Sequence, residues 1–395
     1  MQKSNIKNTK IINFFAIFFA FVIVSSIIFQ HSFGLCFAEL DIFNEKISFN
    51  STAKSAIMID SNSKRILFEK NAYQKLAMAS TTKIVTAITA IENCDDLDKV
   101  ITVDNRAIGI YGTSIYLKPG EQLSVRELLY GLMLRSGNDA SVALAYAIAG
   151  GPEQFCEMMN AVAKKVGANN SHFSNTHGLD DENHFTTAYD LALITAYALE
   201  NKDFAEIVKT KNIKICKGQE NERYLINKNK LLSKLDGCIG VKTGFTNDAG
   251  RCLVSACERG GLKLVCVVLN CGPMFEESES LFNLAYEKFS LVEILPPYFY
   301  VKTASVDGGK VDSVGLCCKS GFRIMLSQNE LSNINVVFNA TDSLKAPVKK
   351  DEEVGVCEIY YGNHLIFSEK IYTIEEVDSL ALKDKIKEIL EGWNA

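Results

Sequence analysis

The amino-acid sequence predicts an α+β domain, a five-stranded antiparallel sheet flanked by helices, followed by a small all-β domain. Three observations carry that expectation. Apolar runs at about Cys238 to Phe245, Cys252 to Cys257 and Leu262 to Leu269 follow one another. Their links, Thr246 to Gly250 and Glu258-Arg259-Gly260-Gly261, are short enough for hairpins. Near the start of the chain, Ala56 to Asp60 and Arg65 to Glu69 read as a further hairpin around Ser61-Asn62-Ser63-Lys64. Between the two groups the pattern is helical, and after Leu295-Pro296-Pro297 only short alternating pieces remain.

In chain order, residues 1–38 come first. Lys3, Lys7 and Lys10 precede an almost wholly apolar run from Ile11 to Phe29, and no acidic residue occurs. Cys36-Phe37-Ala38 offers small residues at the positions a signal peptidase reads, so the stretch is read as a secretory signal cut after Ala38. The alternative is an uncleaved anchor, since the run is near the length that spans a bilayer. A lipoprotein is not expected, because Leu35 stands before Cys36 where a small residue belongs. Either form exports the rest of the chain.

At 47% hydrophobic and 23% charged residues, the 395-residue chain is ordinary globular material with enough length for a sizeable core. Removing residues 1–38 leaves 39 basic against 47 acidic residues, a net charge of −8. That balance argues against nucleic acid as a partner, and there is no Gly-rich phosphate loop. Eleven cysteines remain, at 94, 156, 216, 238, 252, 257, 266, 271, 317, 318 and 357. An exported protein ordinarily pairs them. Their odd number, the absence of Cys-x-x-Cys and settings such as Leu264-Val265-Cys266-Val267-Val268 favour unpaired, buried thiols instead.

The next expected domain runs from 39 to 294. Ser80 is a good helix N-cap, and no Gly or Pro interrupts Ile84 to Glu92, so a helix is expected from Ser80. Gly109, Gly112 and Pro119-Gly120 mark loop. Val125 to Leu134, Ala140 to Ile148, Pro152 to Val166 and Tyr189 to Leu199 read as helices, and 170–186 as a long polar loop. Glu279 to Phe289 closes the domain as a helix. A β-sandwich-like domain is expected over 295–375. Over 376–395 an amphipathic helix is expected, with Leu382, Ile386, Ile389, Leu390 and Trp393 on one face.

Three short motifs carry chemistry. Ser80 and Lys83 are three residues apart on the expected helix and so face the same way. A hydroxyl beside an amine is one way to activate a serine, provided desolvation lets the lysine lose its proton. Ser-x-x-Lys alone is common. It is followed here by Ser136-Gly137-Asn138, in a connection between helices, and by Lys242-Thr243-Gly244, at a strand end. Gly244 lacks a Cβ, so an extended peptide could approach that backbone as an added strand.

The three motifs in this order are the set shared by penicillin-binding proteins and serine β-lactamases. The flanking Asn175-Thr176-His177-Gly178-Leu179-Asp180 and Thr186-Thr187-Ala188-Tyr189-Asp190-Leu191-Ala192 resemble the D-alanyl-D-alanine carboxypeptidases, the low-molecular-weight penicillin-binding proteins. The resemblance spans roughly 50–375, and Ala346-Pro347-Val348 resembles the carboxy-terminal β-domain of the same enzymes. It implies a β-lactamase/transpeptidase-like fold and a serine peptidase acting on peptidoglycan stem peptides ending in D-Ala-D-Ala, inhibited covalently by β-lactams, without a cofactor. It implies Ser80 as nucleophile, Lys83 as its base, and Lys242 and Ser136 as proton carriers to the leaving amine. Asn138 would hydrogen-bond the substrate backbone, and Thr243 would meet the terminal carboxylate. The backbone N–H groups of Ser80 and Phe245 would form the oxyanion hole, with Gly244 beside them. It also implies the extracytoplasmic face of the membrane or the cell wall as the location, with residues 378–395 touching the membrane surface. The alternative for that tail is a helix packed on the β-domain.

Two other readings compete. A β-lactamase of the same fold would use a loop glutamate, but 160–185 holds no Glu-x-x-Leu-Asn, and the second domain would be unusual. A non-catalytic wall-binding protein gives no reason for the intact motif set. His172, His177 and His184 lack the context of a serine triad and match no strong metal pattern, so a solvated loop beside the cleft is expected. One departure from the family stands out. The helix after the last strand opens Pro273-Met274-Phe275-Glu276-Glu277, without the arginine that relatives often place there. Lys228 and Arg251 are the candidate substitutes.

Overall fold

The structure is a computed structural model, and it describes residues 42–381. The expected signal and the tail beyond Ala381 lie outside the described residues. The chain divides at Asn44, and the architecture below is that of residues 45–381.

The central sheet is built from β1 (Ser55–Asp60), β2 (Ile66–Lys70), β3 (Cys238–Thr246), β4 (Gly250–Arg259) and β5 (Leu262–Leu269). Their order is β2-β1-β5-β4-β3, and every neighbouring pair is antiparallel. Both faces are covered, which explains why these strands read as continuous apolar runs. In β1, Ile57 and Ile59 join the core beneath most of the helices, while Ala56 and Met58 join a second core on the other face.

The helices that matter for the site are α1 (Lys83–Glu92), α2 (Asn138–Ala149), α3 (Ala188–Ala198) and α4 (Met274–Lys288). In α1 every residue from Lys83 to Ile91 is buried, so this helix has no solvent face and runs through the middle of the domain. Its buried hydroxyls need partners, and Thr86 Oγ1 donates to the Thr176 carbonyl at 2.7 Å. The last helix, α4, covers the opposite sheet face through Leu281, Phe282 and Ala285. The expected helix over Val125 to Leu134 is α-helical only to Tyr130. Gly131–Arg135 then widens into a π-helical turn that delivers Ser136. A helix at Lys202–Lys209, capped by Asn201, and a hairpin of Asn212–Ile215 with Arg223–Ile226 were not anticipated.

The second domain takes over at Phe289, six residues before the expected 295, because Phe289–Leu295 pairs with Phe322–Ser327. Beyond this ribbon lies a six-stranded sheet in the order 334–340, 353–361, 364–373, 313–318, 299–307, 343–345. Leu316, Cys318, Cys357, Ile359 and Ile371 are buried in it. Residues 376–381 are not helical. Val377 bridges to Val348 and Ser379 to Gly309, so the start of the expected tail helix extends the β-domain instead. The two domains are joined by a buried ion pair. Arg65 Nη1, in the link between β1 and β2, donates to Glu330 Oε2 at 3.1 Å and to the Met325 carbonyl at 3.3 Å. All eleven cysteines among the described residues are free thiols, ten of them buried.

Candidate active site

Ser80 sits in a single 3₁₀ turn, Ala79–Thr82, that leads into α1. The α-helix proper begins at Lys83, and Ser80 makes no side-chain capping bond, which corrects the expectation of an N-cap. The turn instead aims the Ser80 hydroxyl at the next turn of helix. Ala79, just before it, is in the left-handed region at φ +50. That conformation costs an L-residue about 1–2 kcal/mol. Two contacts hold it there. Thr82 Oγ1 donates to the Ala79 carbonyl at 2.8 Å, and Gly178 packs so closely that a Cβ on it would lie 2.0 Å from that oxygen.

Lys83 is fully buried. Its Nζ lies 2.7 Å from Asn138 Oδ1, 2.6 Å from the His177 carbonyl and 3.0 Å from Ser80 Oγ. Two of these partners are pure acceptors, which take two N–H bonds. The third is a hydroxyl, so a neutral amine can turn its lone pair toward it. Among the described residues no carboxylate pairs with Lys83. Asp139, next to Asn138, is engaged instead by Ser114 Oγ and by the N–H groups of Ile115 and Leu117. Burial, then the positive charges of Lys242 and Lys228, hold Lys83 well below the ordinary lysine pKa. Lys242 is also buried, and burial together with Lys228 brings it to about 7. Its Nζ donates to the Thr243 carbonyl at 2.9 Å.

Ser136 ends the π-helical turn in the left-handed conformation at φ +67. Its Oγ is buried and has no hydrogen-bond partner among the described residues. Asn138 is committed at both ends of its amide, Oδ1 to Lys83 and Nδ2 to the Tyr111 carbonyl at 2.6 Å. The side chain thereby ties the base to the loop over the cleft, and the second Nδ2 hydrogen is left for the expected hydrogen bond to a substrate backbone. Gly244 also serves the interior. A Cβ there would lie 3.0 Å from the Met78 carbonyl and 3.1 Å from Ser80 N, so its bare Cα admits the nucleophile turn.

All eight expected residues come together. Ser80, Ser136, Asn138, Thr243, Gly244 and Phe245 line a cleft of about 820 Å³, with Lys83 and Lys242 buried beneath them. The cleft forms because β3 is an edge strand packed on the 3₁₀ turn. Three contributors were missed by sequence reasoning. They are the His177 carbonyl, the Tyr111–Thr113 loop and His184. The signal was Gly178, whose φ of +89 demands a residue without a side chain. The expected solvated histidine loop is corrected as well. His184 is buried, and its Nε2 lies 2.7 Å from Thr82 Oγ1. Among the described residues no cluster of His, Cys, Asp and Glu is placed to hold a metal.

A buried, unpaired lysine beside a serine on a helix start, facing an edge strand, defines a serine acyl-transfer centre. Comparisons with known proteins agree with it. Residues 43–272 match the D-alanyl-D-alanine carboxypeptidase family of serine peptidases. Residues 289–379 match the penicillin-binding protein 5 C-terminal domain. The chain is 29% identical over 350 residues to the D-alanyl-D-alanine carboxypeptidase DacF of Bacillus subtilis (strain 168), covering 86% of this chain and 90% of that one. It is 32% identical over 344 residues to the D-alanyl-D-alanine carboxypeptidase DacC of Escherichia coli (strain K12), covering 82% and 84%. The solved penicillin binding protein 5 of Haemophilus influenzae superposes with a TM-score of 0.64 at 26% identity, over 84% of this chain and 99% of that one. The chain therefore belongs to the D-alanyl-D-alanine carboxypeptidase family.

Proposed function

We propose that this serine-type carboxypeptidase removes the terminal D-alanine from peptidoglycan stem peptides through an acyl-enzyme on Ser80. The observation that carries the assignment is Lys83 Nζ at 3.0 Å from Ser80 Oγ, buried and without a counter-ion. The neutral amine takes the Ser80 proton as Oγ bonds to the penultimate carbonyl carbon. The negative charge that develops on the carbonyl oxygen falls to the N–H groups of Ser80 and Phe245. Losing one such donor typically costs about 3 kcal/mol. Collapse breaks the peptide bond, and the leaving amine receives its proton along Lys242 and Ser136. Water then hydrolyses the ester and restores Ser80. β-Lactams acylate the same oxygen.

Export is part of the proposal, supported by Lys3, Lys7 and Lys10 ahead of the apolar run in residues 11–29. The enzyme then acts on the extracytoplasmic face of the membrane or in the wall, with residues 378–395 reaching the membrane surface. Amino-terminal sequencing of the secreted chain tests cleavage after Ala38, and liposome sedimentation with and without residues 378–395 tests the tail.

The test of mechanism uses labelled penicillin and a D-Ala-D-Ala peptide. Ser80→Ala abolishes labelling and D-alanine release. Lys83→Ala slows acylation by at least about 10²–10⁴-fold, the usual worth of a general base. Near-normal labelling of the Lys83 variant would sink the mechanism. Rapid penicillin turnover without D-alanine release would make the protein a β-lactamase.

A further inference from the structure

The substrate of the proposed reaction ends in a carboxylate, and the cleft has to desolvate it. Its rim already carries Asp180 and Asp248, which repel an incoming anion. The first turn of α4 supplies Met274 and Phe275 to the cleft and no cation. Among the described residues two cationic side chains line the cleft, Lys228 and Arg251.

Register separates them. Arg251, on β4, is the direct cross-strand partner of Phe245 on β3, and Leu253 is the partner of Thr243. Directly paired residues project from the same sheet face, as do residues two apart on one strand. Arg251 therefore leaves the sheet on the face that carries Thr243, on the diagonal from it. Diagonal neighbours stand about 7–8 Å apart, within reach of a long side chain. Arg251 is exposed, and among the described residues its guanidinium has no ion pair and no hydrogen bond. Its planar fork matches a carboxylate in two-point fashion. Lys228 enters from another wall, since its backbone N–H donates to the Leu134 carbonyl at 3.2 Å, on the Ser136 side of the cleft.

We propose that Arg251 is the cation that receives the terminal carboxylate of the substrate, with the Thr243 hydroxyl as the second donor. The assignment rests on the Ser80 acyl-enzyme reading and deepens it. Such a cation stands on the strand beside Lys242-Thr243-Gly244, in the sheet wall of the cleft. It also explains why the opening of α4 is free to carry Met274, Phe275 and two glutamates.

The experiment compares two peptides, one ending in free D-Ala-D-Ala and one with its terminal carboxylate amidated. Wild type cleaves the acid in strong preference. Arg251→Gln lowers kcat/KM for the acid peptide by about 10–100-fold, the usual worth of a charged hydrogen bond. It leaves the amide unchanged, so the preference collapses, while Arg251→Lys restores part of it. Saturating labelled penicillin still marks Ser80 in both variants. If wild type takes no label, the Ser80 reading fails. If wild type is labelled and Arg251→Gln keeps its preference for the acid, the Arg251 assignment is overturned. Loss of the preference in Lys228→Gln, with Arg251→Gln unaffected, overturns it equally.

Discussion

His184 Nε2 and Thr82 Oγ1 stand 2.7 Å apart in the interior, two residues beyond the nucleophile in sequence. Ser174 N–H donates to His184 Nδ1 at 3.1 Å, so the ring proton is on Nε2 and is given to Thr82. The Thr82 hydroxyl in turn donates a hydrogen bond to the Ala79 carbonyl, which fixes the turn carrying Ser80. The neutral ring is thus a positioning group for the nucleophile.

Burial, reinforced by His177, brings the His184 pKa from 6.5 to about 4. A depressed native pKa means that the unfolded chain binds the proton more readily. The contribution to stability is complete above pH 6.5 and is lost as pH falls toward about 4. It is worth on the order of 3 kcal/mol for a shift of this size. His184→Ala is expected to lower stability at pH 7.5 by about 1–3 kcal/mol, from the unpaired Ser174 N–H and the freed Thr82. It also lessens the slope of stability between pH 6.5 and 4, leaving the part that His177, likewise brought to about 4 by burial, contributes. Urea midpoints across that range check both; an unchanged slope would remove His184 as the titrating group.

Burial is the main cause that lowers the pKa of Lys83 and of Lys242, and the positive charge of Lys228 adds to it in both. Protonated Lys83 cannot accept the Ser80 proton, so acylation falls as pH drops through the Lys83 pKa. In wild type that acid limb lies well below 10.5. Lys228→Gln removes a repulsive neighbour, stabilises the protonated amine and moves the limb to higher pH. The pH dependence of penicillin acylation under single-turnover conditions measures it. A limb that stays in place, or moves down, would show that Lys228 does not act on Lys83.

The sheet and the motif set were legible because each rests on local chemistry. Continuous apolar runs with short Gly-containing links read as hairpins, and β3, β4 and β5 follow them closely. The site was less legible where its parts are long-range. Asn138 was read for its substrate contact alone, and its amide also closes a circuit between Lys83 and Tyr111 that only the packed fold creates. Gly244 was read for what approaches the strand edge, and the Met78–Ser80 backbone packed on its Cα is a further demand that only the fold reveals. Ser80 has the composition of an N-cap, yet the left-handed Ala79 makes a 3₁₀ turn there instead. The domain handover at Phe289 was missed because the Pro296-Pro297 pair is the louder signal, while the strand before it pairs with residues 322–327. Backbone contacts such as the His177 carbonyl carry no side-chain signature at all.

Gly178 gives the sharpest test of how the fold holds its nucleophile. A Cβ at 178 would sit 2.0 Å from the Ala79 carbonyl oxygen, 2.5 Å from its carbon and 2.8 Å from Thr82 Oγ1. Real Cβ contacts do not fall below about 3 Å. Two of the three obstacles are backbone, so rotating a side chain cannot relieve the clash. Either the 175–180 loop or the Ser80 turn must move by about 1 Å, and displacement on that scale costs about 10²-fold in rate. Moving the loop also withdraws the His177 carbonyl from Lys83 Nζ. Gly178→Ala is therefore expected to reduce penicillin acylation by at least about 10²-fold. It is expected to destabilise the domain by more than about 3 kcal/mol. The backbone cost alone is separated by Gly109→Ala. Gly109 has φ +72 and open space where its Cβ would stand, so only the left-handed penalty of about 1–2 kcal/mol applies. That control should acylate normally. Equal loss of acylation in both variants would mean that backbone strain, not contact with the Ala79 carbonyl, is what Gly178 relieves.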